Sequence, residues 1–419
     1  MLDSLALNVR IGFYLAIRQI KRSSLWTTSL IVFVMVLTFL NLVVVSGILV
    51  GLIEGSVEAA RTQYTSDIIL STLPDKKYIE NSPSIITLLK TLPEVEALSP
   101  RYQEGANLEA NYRTRRETDK PDVAGSQIVG IDPTLENNVT GLAKSVAVGS
   151  YLNADDYDKV LVGQYLLSQY VPVDSPGFAA LENVTVGTKI RITVGDFTRE
   201  FTVKGILKSK VDEITRNVYI TDTQLRTMID RADGNIDQIV IKLKPGIDPL
   251  VVRDALKARG VNGFAKVQTY ADAQPQFLKD IKDTFSLLGS VFSSIGLVVS
   301  SITIFIVIFI NALTRRKFIG ILKGIGISGQ AIEISYIFQS MFYAILGSGI
   351  GLALLYGLLS PFIAAHPIDF PFSDGILVAP LDTTLFRVGL LVLSTLVAGY
   401  IPARMIVRKN TLDSILGRK

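Results

Sequence analysis

Most of the chemistry that side chains perform is closed to this chain by its residue types. It has no cysteine, which removes thiol catalysis, thiolate metal sites and disulfide staples. Its single histidine, His366, stands before Pro367, so the paired histidines of common catalytic zinc sites cannot be assembled, and no G-x-S-x-G elbow accompanies it. No G-x-x-x-x-G-K-[ST] phosphate loop occurs in these 419 residues, and ATP hydrolysis by that route is not expected of them. Gly349 and Gly351 sit inside an apolar run with no strand before them, which is not the context of a dinucleotide fingerprint. The expectation is of no catalytic residue, no metal site and no cofactor in this chain.

The residues that do form a pattern are basic and apolar. Residues 314–330 read TRRKFIGILKGIGISGQ. Arg315, Arg316 and Lys317 alone would be an ordinary cluster that stops membrane transfer. The next residues are less ordinary: Phe318, Ile319, Ile321, Leu322 and Ile325 are interleaved with Gly320, Gly324 and Gly326, and Lys323 adds a further charge. An apolar face that stays in the cytoplasm needs a partner protein or the inner leaflet to cover it.

The elements on either side are apolar runs. Residues 285–310 and 334–365 carry no Asp, Glu, Lys or Arg, and residues 25–53 form a third such run. Each exceeds the roughly 20 apolar residues a helix needs to cross a bilayer core. A fourth run, 385–401, is shorter and contains Arg387. Mean hydropathy of +0.39 with 19% charged residues fits a membrane protein that carries a large water-exposed part. The predicted architecture is four transmembrane helices, one plus three, with a mixed α/β domain inserted between the first and second.

Charge distribution orients these elements. Arg10, Arg18, Lys21 and Arg22 precede the first run, the basic bend separates the second from the third, and Arg404, Arg408, Lys409, Arg418 and Lys419 come after the fourth. Asp369, Asp374 and Asp382 lie between the third and fourth with no Lys or Arg. Both termini and the bend are therefore expected in the cytoplasm, and the inserted domain outside. Basic residues beside membrane ends are explained by anionic lipid headgroups, so nucleic-acid binding is not expected. No cleavable signal peptide is evident, and the first run reads as a retained anchor. Ahead of it, Leu2, Leu5, Val9, Phe13, Ile17 and Ile20 recur at helical spacing, as in a helix along the inner leaflet.

The expected segmentation is an interfacial helix at 1–24, transmembrane helices at 25–53, 284–312, 331–360 and 384–404, an external domain at 54–283, a cytoplasmic bend at 313–330, a short external loop at 361–383 and a cytoplasmic tail at 405–419. In the domain, 67–73, 126–131, 218–220 and 238–243 read as strands, 84–92 and 249–259 as helices, and 189–206 as a hairpin around Gly195-Asp196. Residues 107–125, which include Arg113, Arg115 and Arg116, read as an exposed loop rather than a ligand patch. Within the membrane, Gly289 with Ser293, Gly296 with Ser300, and Gly347 with Gly351 are spaced four apart and predict close helix packing in the bundle or across a dimer.

At the bend the sequence resembles the FtsX-like, MacB-like permeases of ABC transporters, whose pattern is approximately R-[RK]-x-E-I-G-I-L-[KR]-A-[IL]-G. Arg315 or Arg316, Lys317, Ile319, Gly320, Ile321, Leu322, Lys323, Ile325 and Gly326 match it, while Phe318 replaces the usual Glu and Gly324 the usual Ala. IVGIDP at 128–133, LVGQYL at 161–166, GTKIRI at 187–192 and FTVKGI at 201–206 are similar to the family's external domain in the expected order, and Pro402-Ala403-Arg404 to its closing pattern. The resemblance implies that the bend is a coupling helix docking on a separate cytoplasmic ATPase, two copies per complex, which would bind ATP and magnesium. It implies a second permease chain, identical or homologous, contact with membrane lipids, an inner-membrane location, and an external cargo carrier or hydrolase as further partner. Gln339 resembles a residue of lipoprotein-releasing members, which points to lipoprotein, lipid or hydrophobic peptide as cargo. FtsX-type members imply an alternative, activation of an external cell-wall hydrolase without transport. A membrane-tethered binding module with no ATPase is the third reading.

Overall fold

The computed structural model describes residues 2–116, 120–171, 179–366, 368–370, 373–375 and 377–408. Residues 409–419, most of the expected tail, lie outside them. Two units are distinguished, one comprising Met1–Ile53, Lys279–Asp369 and Gly375–Lys419, the other Glu54–Leu278 and Phe370–Asp374.

Among the described residues, four helices are long and apolar enough to cross a membrane: Leu25–Thr65, Leu278–Thr314, Gly329–Ala365 and Leu381–Val407, numbered here as spans one to four. Chargeless runs become helices because hydrocarbon offers no partner for backbone N–H and C=O groups, which must then bond within the segment. The helices run beyond the apolar stretches because propagation, once started, adds a hydrogen bond per residue. Span one is interrupted by π-helical turns at Asn41–Val45 and Arg61–Thr65, and span three by one at Leu355–Leu359. Ile31, Met35, Ile304, Ile308, Ala312, Ile332 and Tyr336 form the centre of the bundle.

A further helix, Leu2–Lys21, runs alongside the first turns of span three. Asn8 donates to Gln330 Oε1 at 3.2 Å and accepts from Ser328 Oγ at 2.7 Å. Phe13 meets Phe338 edge-on at 5.3 Å, and Gln339 donates to Gln19 Oε1. Gly12 allows this approach, since a Cβ there would lie 2.7 Å from Ile334 Cγ2. Leu7, Val9, Tyr14 and Ile17 remain exposed, Phe13 is half-exposed beside Phe338, and Gly12, Ala16 and Gln19 are buried.

Among the described residues, the main sheet of the second unit has ten strands: β1 (Ile68–Ser71), β2 (Val95–Ala110), β3 (Asp122–Ile131), β4 (Val146–Gly149), β5 (Lys159–Gly163), β6 (Lys189–Val194), β7 (Phe197–Leu207), β8 (Asn217–Thr221), β9 (Gln238–Leu243) and β10 (Lys266–Thr269). Their order is β10-β1-β9-β2-β3-β8-β5-β7-β4. β6 pairs with β7 and with the far end of β2, where Leu108 faces Ile192. The run β2-β3-β8-β5-β7-β6 therefore closes on itself, which removes the edges that unpaired strands would present. Ile190, Ile192, Phe201, Val203, Val218, Leu108 and Ala124 are buried in the largest core. The hairpin at 189–206 forms as β6 and β7, with Val194 opposite Phe197 and Gly195 at φ +56° in the turn.

Two features differ from the expectations of the sequence. Residues 107–110 and 122–125 are not loop but the paired ends of β2 and β3. Their polar composition hides an alternation in which Leu108, Ala110 and Ala124 point inward. The length of β2 is the second difference, since Pro100 and Gly105 within it are residues that usually argue against a strand.

Candidate functional site

Arg316–Gly324 is a helix of its own between spans two and three. It begins where span two ends at Thr314, with Arg315 as the intervening cap residue. It ends because Gly326 adopts φ +95°, a left-handed conformation that favours glycine, and Ser328 then caps span three by accepting from Ala331 N at 3.2 Å. The apolar residues of this helix divide between two faces. Ile319 and Leu322 are buried in the bundle core, and Gly320 is buried beside them. Phe318, Ile321 and Ile325, three and four residues apart, are 51%, 52% and 71% exposed. Lys317 is exposed, whereas Arg315 and Arg316 are half-buried. Lys323 donates to Val407 O at 2.9 Å, which ties the helix to the last turn of span four and satisfies one of its terminal carbonyls. The residues expected to form one contact surface thus separate: Ile319, Gly320, Leu322 and Lys323 seat the helix, while Lys317, Ile321 and Ile325 face outward together with Phe318, the residue that departs from the family pattern.

The small residues of the spans are brought together on span one. A Cβ on Gly289 would lie 2.9 Å from Ser46 Oγ, and one on Gly296 2.9 Å from Asn41 Oδ1. Ser293 donates to Leu42 O at 3.3 Å, and Ser300 lies 3.7 Å from Met35 Sδ. On the other side, a Cβ on Gly347 would meet Met35 Cβ at 2.3 Å and one on Gly351 would meet Phe39 Cδ1 at 2.3 Å. Span one is therefore held between spans two and three, with Met35 reached from both. The Ser293 bond is made to a carbonyl of the π-helical turn Asn41–Val45.

The last turn of that first helix, Arg61–Thr65, belongs to the external unit and delivers Tyr64 O to Arg101 Nη2 at 2.8 Å. Arg101 also forms a two-pronged bond to Glu136, at 2.6 and 2.9 Å, with both side chains 1% exposed. Gln238, Ser99 and Thr140 complete the set, and the guanidinium lies 4.5 Å from the Tyr64 ring centroid. Burial alone would raise the Glu136 carboxyl, but Arg101 and the hydrogen bonds from Arg101, Thr140 and Ser99 hold it below the usual carboxylate range. Arg61 bonds Asp67 at 2.7 Å, and Asp67 accepts Leu243 N at 2.8 Å. No local signal in the sequence marks Arg101 or Glu136, because they meet only through the sheet.

The remaining candidates are accounted for by packing. Arg113 pairs with Glu200 at 2.5 Å and Arg115 with Glu109 at 2.7 Å on the β2-β3 tip. His366 is exposed and stacks on Phe362 with ring centroids 5.0 Å apart. Gln339 is 4% exposed and spent on Gln19, which gives it a packing role.

Four apolar spans with an α/β unit inserted after the first define a multi-pass membrane protein with an extracytoplasmic domain. The family model for the MacB-like periplasmic core domain matches residues 30–259, and that for the FtsX-like permease C-terminal matches residues 290–411. The chain belongs to this MacB-like, FtsX-like permease family of ABC transporters. An uncharacterized ABC transporter permease of Methanocaldococcus jannaschii is 26% identical over 238 residues, which are 54% of this chain and 58% of the relative. The macrolide export ATP-binding/permease protein MacB of Campylobacter fetus is 25% identical over 223 residues, 52% of this chain and 34% of the relative. The chain spans little more than half the length of the first and a third of the second. The crystal structure of the periplasmic region of MacB from Actinobacillus actinomycetemcomitans is similar at 15% identity and a TM-score of 0.36, covering 51% of this chain and 93% of that one.

Proposed function

We propose that this chain is the permease subunit of an ABC exporter, working as a dimer with two copies of a cytoplasmic ATPase supplied by another chain. The observation that carries this reading is the helix Arg316–Gly324, seated in the bundle by Ile319, Leu322 and Lys323 while Phe318, Ile321 and Ile325 face outward. An ATPase that grips this outer face differently in its ATP-bound and empty states can bias the bundle; one that grips both equally cannot. Membership of the FtsX-like permease family supports an ATPase as partner. In this reading the bend and both termini are cytoplasmic, and movement of the extracytoplasmic domain expels a lipoprotein, lipid or hydrophobic peptide from the outer side.

Co-purification tests the coupling. A tagged chain is expected to retain an ATPase subunit, and Ile321→Asp is expected to lose it while the protein remains folded by thermal unfolding. Retention of no ATPase by the unaltered chain, together with no cellular effect of reversing the charges at Arg316 and Lys317, would sink the proposal. Mass spectrometry of the same preparation separates export from signalling: bound amphiphile supports the first, and a captured external hydrolase supports the FtsX-type alternative.

A further inference from the structure

Arg387 is the one charge inside the apolar stretch 385–401 of span four, and its surroundings do not neutralise it. Its Nη2 donates to Ser46 Oγ at 2.7 Å and its Nη1 reaches Val43 O at 3.5 Å, both on span one. Among the described residues no carboxylate pairs with it. These contacts occupy only part of the guanidinium's fork of N–H donors, and the side chain is half-buried rather than enclosed. Leu385 and Phe386 beside it are 52% and 67% exposed, as lipid-facing residues are. Depth is set by helix geometry. At about 1.5 Å per residue from Leu25, Ser46 lies roughly 30 Å along span one, which is about the thickness of the hydrocarbon core. Taking Leu25 as the inner edge, this places Arg387 near the domain-side boundary of the bilayer, from which its long side chain can snorkel to lipid phosphates.

An arginine that stays charged and presents a planar pair of donors matches a phosphate better than it matches a neutral group. Val43 belongs to the π-helical turn Asn41–Val45, so its carbonyl helps aim the guanidinium, and Ser46 braces it from the next turn. We infer that Arg387, braced by Ser46, binds the phosphate of a membrane glycerophospholipid at the domain-side surface of the bundle. This rests only on the membrane-spanning assignment and not on the exporter reading.

The full chain in nanodiscs, with a photoactivatable phosphatidylglycerol as probe, tests it. Labelling is expected on the peptide around residues 381–392 and to fall roughly tenfold in Arg387→Gln, the loss expected for one charge-assisted bond. Arg387→Lys is expected to keep part of it, since charge survives without the fork. Thermal unfolding confirms that each variant is folded. Labelling of the unaltered chain confined to other peptides overturns the proposal without recourse to a variant, as does equal labelling of folded Arg387→Gln. Two competitions separate the sources of phosphate. Millimolar inorganic phosphate is expected to leave labelling unchanged, and abolition by it would assign the site to free phosphate and overturn the lipid. A phosphate-free galactolipid is expected not to compete, and equal competition would overturn the phosphate contact by showing that acyl chains alone hold the probe.

Discussion

Arg101 and Glu136 form the most deeply buried ion pair among the described residues, and each depends on the other. Removing one partner leaves an uncompensated charge, which costs about 3–5 kcal/mol, whereas replacing both with apolar residues of similar volume costs far less. Arg101→Met and Glu136→Leu are therefore each expected to destabilise the external unit severely, and the double variant much less than their sum, by denaturant unfolding of the full chain. The pH dependence has a definite sign. Since the folded Glu136 carboxyl titrates below its unfolded value, its stabilisation is present above the ordinary carboxylate range and is lost as pH falls through the folded value. Glu213 and Asp237, raised chiefly by burial, act in the opposite sense. The difference in stability between the unaltered chain and Glu136→Gln is thus expected to shrink on acidification. None of this is legible in the sequence: Arg101 reads as one basic residue after a proline, and its partner is far along the chain. The glycine and serine spacings in the spans are legible, because a four-residue interval on a helix is itself geometry.

Among elements, the contrast between neighbouring glycines of span three gives a sharp test. A methyl at Gly347 would strike Met35 Cβ, an atom close to the backbone that cannot swing away, while one at Gly349 meets nothing within 4 Å. Gly347→Ala is expected to cost about 1–3 kcal/mol through overpacking. Gly349→Ala is expected to be neutral or stabilising by up to about 1 kcal/mol, because alanine favours the helix. Thermal unfolding of the two purified variants distinguishes them, and equal effects would contradict the seating of span one against span three. The spans can be read from composition because hydrophobicity and backbone satisfaction act together over each whole segment. β2 cannot, since its pairing with β9, β3 and β6 overrides the local message of Pro100 and Gly105. The bend is legible as amphipathic, but which of its apolar residues face inward is not. That division depends on the bundle core, where Ile319 and Leu322 pack.

For the whole molecule, the coupling role requires that nucleotide state at the cytoplasmic ATPase be felt by the external domain. The chain's lack of cysteine makes this accessible, because one introduced thiol labels one place. Val251, 66% exposed on the helix Pro249–Ala258, is a suitable position. The decisive measurement is the distance distribution between spin labels on Val251→Cys in the two permease copies of the assembled complex, with ATP trapped on the ATPase and without nucleotide. The expected result is a shift between the two states that disappears when Phe318, Ile321 and Ile325 are replaced by polar residues in a complex that still folds. An unchanged distribution in a complex that demonstrably binds and hydrolyses ATP would contradict the proposed coupling.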